Sequence, residues 1–165
     1  MSISIKQTSD EEILKACAAM MCASEPWITL QRNYADCLES TQGDYKEIFV
    51  ATENNTLLGF IILQMAGTFK GYIQTICVSP EARGKGVGTQ LIKHAENRIF
   101  NISPNVFMCV SSFNSEAAKL YTQLGYEKIG ELKDFILKGY SEILLRKSIG
   151  TLSEFKYAHY QKEKI

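Results

Sequence analysis

Three glycines at alternate positions, Gly84, Gly86 and Gly88, sit in the stretch VSPEARGKGVGTQLIKHAEN, residues 78–97. They separate two patterns of different period. Before them, GYIQTICV, residues 71–78, is rich in β-formers and predicts a strand. After them, Val87, Leu91, Ile92, Ala95 and Ile99 recur at helical spacing and predict a helix from about Gly86 to Phe100. Another β-rich run, NVFMCVSS, follows. A strand, a glycine turn, a helix and a second strand in this order imply parallel pairing, with the helix on one face of a sheet.

The rest of the chain extends that sheet. ISIKQ, residues 3–7, alternates and predicts a short strand. Ser9 and Asp10 offer N-caps to EEILKACAAMMCA, where Ile13, Leu14, Cys17, Met20 and Met21 keep helical spacing. Pro26, in SEPW, ends that helix. A short second helix is expected from Leu30, in LQRNYADCLEST. KEIFVAT and TLLGFIILQMAG predict strands joined by the polar tip ENN. Asn114 is placed to cap the helix SEAAKLYTQLGY, with Gly125 as its C-cap. EKIGELKD and YSEILLRK predict a last hairpin around Lys138 and Gly139.

The fold class is therefore α/β (α+β), a mixed, mostly antiparallel sheet of six to seven strands with helices on both faces, over residues 1–148. Residues 149–165 form an extension in which Thr151 and Glu154 make a capping box and Leu152, Phe155 and Ala158 a narrow apolar side. A short helix there could pack on the body or on a second subunit, which leaves a homodimer open.

Eighteen basic and eighteen acidic residues cancel, which favours neither nucleic acid nor a polybasic membrane contact. The N-terminal MSISIKQTSDEEILK lacks the basic and apolar regions of a signal peptide, and no run approaches a membrane span, so a cytoplasmic location is expected. Five cysteines without a C-x-x-C, and only two histidines, suggest neither a disulfide framework nor a metal site.

A helix N-terminus has unpaired amides and a positive dipole end. Glycines remove the Cβ atoms that would hold a phosphate away from those amides, and Arg83 and Lys85 add charge. The plainer alternative, a turn that needs positive φ, explains one glycine better than three. A P-loop is excluded because Gly84-Lys85 is followed by glycine and position 79 is serine. The dinucleotide fingerprint is excluded because the third glycine falls at 88 instead of 89.

What remains is R/Q-x-x-G-x-G/A, matched by Arg83, Gly86 and Gly88. CVSPEARGKGVGTQL closely resembles the acetyl-CoA-binding motif of the GCN5-related N-acetyltransferase (GNAT) family. NSEAAKLYTQLGYEKIGE, residues 114–131, resembles that family's second motif, N-x-x-A-x-x-x-Y-x-x-x-G-F. The resemblance covers roughly residues 3–148 and implies the acyl-CoA N-acyltransferase fold, with transfer of an acetyl group from acetyl-CoA to an amine. It implies that Gly84, Lys85, Gly86, Val87, Gly88 and Thr89 surround the pyrophosphate. It implies that Ile76 and Val78 pair with the pantetheine arm in a wedge where their strand splays from VFMCV, with Asn114 near the pantetheine or thioester. Tyr121 matches the tyrosine that faces the cofactor sulfur, where a phenol can protonate the leaving thiolate. Tyr121 also lies on its helix's apolar stripe, so a packing role stays open.

The sequence departs from the family at Cys109, where some relatives that modify protein N-termini carry a glutamate. Glu25, Glu53, Asp134 or a water chain remain open as the base. A buried, inert Cys109 favours direct transfer in a ternary complex over an acyl-cysteine. The acceptor is a small-molecule amine or a protein N-terminal or lysine amine. Trp27, on the Pro26 loop, is either a lid or an apolar anchor, and Glu25, Tyr72, Phe69 and the last hairpin are further candidates to line its site. Two alternatives remain: a non-catalytic acyl-CoA-binding module, and a nucleotide-binding domain unrelated to CoA.

Overall fold

The computed structural model describes residues 2–156. In chain order the elements are β1 (Ser4–Gln7), α1 (Glu11–Cys22), α2 (Tyr34–Ser40), β2 (Lys46–Glu53), β3 (Thr56–Gln64) and β4 (Tyr72–Val78). A single 3-10 turn (Pro80–Ala82) leads to α3 (Val87–Ile99), β5 (Asn105–Ser111), α4 (Ser115–Gln123), β6 (Glu127–Lys133) and β7 (Ser141–Ser148). The seven strands form one sheet in the order β1-β2-β3-β4-β5-β7-β6. Every neighbouring pair is antiparallel except β4 and β5. The mixed, mostly antiparallel sheet that the sequence predicts is thus present at seven strands.

The sheet is covered on both faces because its central strand is apolar on both. In β3, Phe60 and Ile62 join Cys17, Ala18, Met21 and Cys37 of α1 and α2 in one core cluster. Ile61 and Leu63 join Leu91, Ile92, Ala95 and Ile99 of α3 in the other. All four β3 side chains are at 0% exposure, and each contributes roughly 1.5–3 kcal/mol by leaving water. Arg98 of α3 donates two parallel bonds, at 2.8 and 2.6 Å, to the carboxylate of Glu47 in β2, which fixes the helix across the strands.

Two boundaries differ from expectation. The second helix starts at Tyr34, not Leu30. Ile28, Leu30, Gln31 and Arg32 spend their amides in turns, Leu30 N–H donating to Pro26 O and Arg32 N–H to Trp27 O, and Gln31 takes φ 56°. Asn33 then caps α2 in a capping box with Asp36. β3 ends at Gln64, short of Gly67, because the chain loops back and Gly71 N–H donates to Gln64 O.

In the extension the Thr151–Glu154 capping box forms, with Glu154 N–H donating to Thr151 Oγ1 at 3.2 Å, and residues 152–156 are helical. Ile149 N–H donates to Pro104 O, which ties the segment to the body. Ala158 lies outside the described residues. No helix among the described residues is long and apolar enough to cross a membrane.

Gly59 of β3 lies against the far end of β4. A Cβ there would stand 2.6 Å from Cys77 O and 3.2 Å from Val78 Cα, both backbone atoms. Gly59→Ala is expected to lower stability by about 1–3 kcal/mol, measured by denaturant unfolding. A variant as stable as the parent would contradict this close packing of β3 on β4.

Candidate active site

The site begins where β4 and β5 part. They pair only at Tyr72↔Phe107 and Ile73↔Met108. Beyond that point β4 stays on β3 as far as Val78↔Gly59, and β5 stays on β7 as far as Ser111↔Glu142. The cause is local. Leu63 pairs with Ile73 and Ile62 with Thr75, so Gln74 is an extra residue, a β-bulge that bends its strand. Gln74 Nε2 donates to Ser40 O at 3.0 Å, holding the bulge toward α2. The split opens a cleft of about 860 Å³. From Gln74 to Val78, β4 turns an unpaired backbone edge toward it, a row of donors and acceptors that require partners.

The glycine turn forms one end of the cleft. Gly84 and Gly86 take φ 71° and 80°, and a Cβ on either would meet nothing within 4 Å. Gly86 is the N-cap of α3 and offers no side-chain cap, whereas Asp10, Asn33 and Asn114 cap α1, α2 and α4. The amides of Val87, Gly88 and Thr89 therefore face the cleft without intrahelical partners. An extended edge leading to such an amide cluster fits an amide-containing arm that ends in a diphosphate.

Arg83 is used differently from its neighbours. Its Nε donates to Val78 O at 3.2 Å and its guanidinium reaches Ser24 Oγ at 3.5 Å, so it clamps the end of β4 to the end of α1. Lys85 is exposed and is not among the residues lining the cleft. Ile76, Val78, Arg83, Gly84, Gly86, Val87, Gly88, Thr89 and Asn114 all line it. Asn114 Oδ1 accepts from Ala117 N–H at 3.3 Å, so its carbonyl serves the cap of α4.

Tyr121 enters from α4 on the α3 side of the sheet. Its ring is 7% exposed and packs edge-on against Tyr126. Tyr121 thus packs in the core on the α3 side and also lines the cleft. Its hydroxyl has no hydrogen-bond partner among the described residues, and burial pushes the phenol up to about 12. It remains a proton donor at neutral pH.

The opposite wall of the cleft belongs to the α1–α2 side. Tyr72, Cys109, Ser111 and Glu142 meet there, because the register Ser111↔Glu142 puts β7 beside the open stretch of β5. Burial raises the Cys109 thiol, the Tyr72 hydroxyl beside it opposes that shift, and Glu142 adds to it. Cys109 thus stays a thiol, and it is half-buried in the cleft wall. Burial also raises the Tyr72 phenol, and Cys109 and Glu142 reinforce the shift.

Sequence reasoning missed Glu142. Its exposure is 5%, and no cation among the described residues pairs with it. Ser111 Oγ donates to its Oε1 at 2.7 Å. One hydrogen bond to a charged group is worth about 1.5–3 kcal/mol, while burying an ion costs several. Burial wins, and the carboxyl is held above the usual carboxylate range. The signal in the sequence is faint: a single glutamate in YSEILLRK, with nothing local to mark it as buried.

Of the carboxylates the sequence offered, only Glu25 reaches the cleft, and it accepts from Thr29 N–H at 3.1 Å and Thr29 Oγ1 at 3.0 Å. Glu53 accepts from Ser2 N–H at 2.9 Å and Asp134 from Gly139 N–H at 2.6 Å, and neither lines the cleft. Trp27 lines the cleft and also packs on the α1–α2 core. Phe69 packs edge-on against Phe107, outside the lining, while Phe135 and Ile136 of the β6–β7 turn form the rim.

A sheet split by a bulge, with an uncapped glycine-opened helix at one end of the split, defines a class of domain that holds a long phosphate-bearing ligand between two strands. The chain belongs to the acetyltransferase (GNAT) family, whose model matches residues 13–126. An uncharacterized N-acetyltransferase of Methanocaldococcus jannaschii is 32% identical over 101 residues, 60% of this chain and 64% of that relative. The match thus spans a little under two thirds of that relative's length. Among solved structures, the ribosomal-protein-S18-alanine N-acetyltransferase of Escherichia coli superposes with a TM-score of 0.72 at 18% identity, over 91% of this chain and 96% of that one. An aminoglycoside 6'-N-acetyltransferase complexed with coenzyme A gives 0.71 at 14% identity, over 92% and 98%. At these identities the two structures bear on the fold alone.

Gly86→Val puts a branched side chain into the open space over the amides. Coenzyme A affinity is expected to fall by about two orders of magnitude, measured by calorimetry on the folded variant. Unchanged affinity would remove the glycine turn from the binding site.

Proposed function

We propose that this chain is an acetyl-CoA-dependent N-acetyltransferase that transfers the acetyl group to a primary amine by direct attack in a ternary complex. The observation that carries the reading is the parting of β4 and β5, with the glycine turn at one end and, in its wall, the Tyr121 hydroxyl, which has no hydrogen-bond partner among the described residues. Acetyl-CoA is a substrate here and supplies the activated thioester.

The chain's own residues hold it and move protons. The amides of Val87, Gly88 and Thr89 bind the pyrophosphate, and the β4 edge at Ile76 and Val78 binds the pantetheine arm as an added strand would. Holding both reactants in one cleft converts a bimolecular step into one within a complex. Tyr121 gives its proton to the departing sulfur; a phenol raised to about 12 is fully protonated at neutral pH and so is present as the donor. A raised Cys109 thiol offers little thiolate, which supports direct transfer over an acyl-cysteine.

The acceptor is the amine of a small molecule or of a protein. Similar proteins include a ribosomal-protein alanine N-acetyltransferase and an aminoglycoside N-acetyltransferase, which cover both kinds of acceptor.

Tyr121→Phe tests the reading. It is expected to lower kcat for thiol release by about 10²-fold, within the usual range for a general acid, with coenzyme A affinity within twofold of the parent. An unaltered kcat would remove Tyr121 from the chemistry. Coenzyme A binding without thiol release from any amine would favour a non-catalytic binding module.

A further inference from the structure

The family resemblance leaves the amine's proton unassigned, because the position of some relatives' glutamate holds Cys109. We propose that the acceptor half of the cleft takes a primary amine carried on an apolar body, and that Glu142 binds its ammonium and removes the proton. This rests on the acetyltransferase reading above.

Three observations carry it. Glu142 is 5% exposed, lines the cleft and has no cation among the described residues to pair with. Ser111 occupies only Oε1, and Oε2 has no hydrogen-bond partner among the described residues. A buried carboxylate left open toward a cleft is matched by a cation that arrives with the substrate.

Its position is the second observation. Glu142 is the register partner of Ser111 at the open end of β5, on the sheet face opposite Tyr121. An amine at Glu142 and a thioester arm along the β4 edge therefore approach the split from opposite faces. That places the proton acceptor on the nucleophile's side and the proton donor on the leaving group's side.

The rim is the third. Trp27, Phe135 and Ile136 line the mouth, and Phe135 and Ile136 are 62% and 44% exposed. Such exposed apolar side chains around a concave site mark a contact surface. Of the other charged groups in the lining, Glu25 is engaged by Thr29 and Arg83 by Val78 O and Ser24, while Glu116 lies near Lys119 on α4, at 3.7 Å. A polycation would find one buried anion and an apolar wall.

The step balances. The ammonium gives one proton to Oε2 of Glu142, and the freed lone pair forms the C–N bond at the acetyl carbonyl. The C–S bond breaks with its electron pair on sulfur, which takes the Tyr121 proton. The second nitrogen proton, lost as the amide forms, returns through solvent to the phenol. Glu142 gives its proton to solvent as product leaves.

The groups facing Glu142 are Tyr72 from β4, Cys109 and Ser111 from β5, and Leu132 from β6. Tyr72 and Cys109 are both raised and stay neutral below pH 8, so an acidic limb in kcat/KM belongs to Glu142.

The probes are 2-phenylethylamine, an ammonium at neutral pH, and its isostere O-benzylhydroxylamine, which is already neutral there. Glu142→Gln is expected to lower kcat/KM for 2-phenylethylamine by about 10²-fold or more and to erase its acidic limb. With O-benzylhydroxylamine the loss is expected to be under fivefold, because no proton must be removed before attack. Equal losses with both probes would reduce Glu142 to a structural role and overturn the proposal. So would turnover of spermidine with none of 2-phenylethylamine. Coenzyme A affinity of Glu142→Gln stays at the parent value. Parent protein that acetylates no amine at all defeats the acetyltransferase reading itself, and the proposal with it.

Discussion

The parting of β4 and β5 after Ile73↔Met108 is the constraint on which the rest of the molecule depends. The inner strands β2, β3 and β7 spend their backbone amides and carbonyls on neighbours to both sides. Here one residue too many, Gln74, turns β4 away, and the edge from 74 to 78 is left over. A buried, unpaired edge is costly unless something completes it. The fold tolerates the split because β3 and β7 hold the two strands from their other sides.

The chemistry follows from which groups the split brings together. The α3 and α4 face supplies the uncapped backbone amides and the Tyr121 phenol. The α1 and α2 face supplies Tyr72, Cys109 and Glu142. Arg83 joins the two sides, bonding to Val78 O at the end of β4 and reaching Ser24 after α1. Its role in the protein's own framework explains why an arginine precedes the glycines without itself needing to meet phosphate.

Much of this was legible because local rules and tertiary structure agree. The alternate glycines announce a helix start without a side-chain cap, and α3 starts so. The apolar runs KEIFVAT and TLLGFIILQMAG predict strands, and β2 and β3 form there. The second helix was misplaced because Leu30 looks like part of its apolar pattern, although Asn33 and Asp36 carry the capping signal at the true start. Glu142 was illegible for a different reason. Its meaning depends on a register partner 31 residues away and on the gap beside β5, neither of which is a local property. The bulge at Gln74 is likewise invisible in GYIQTICV, whose composition suits an unbroken strand.

Amide hydrogen exchange of the folded chain, with and without coenzyme A, tests the central claim most directly. The account predicts new protection at residues 74–78 and 86–89, with the β5·β7 ladder unchanged. Protection confined to other segments, or none at those amides at saturating coenzyme A, would contradict it.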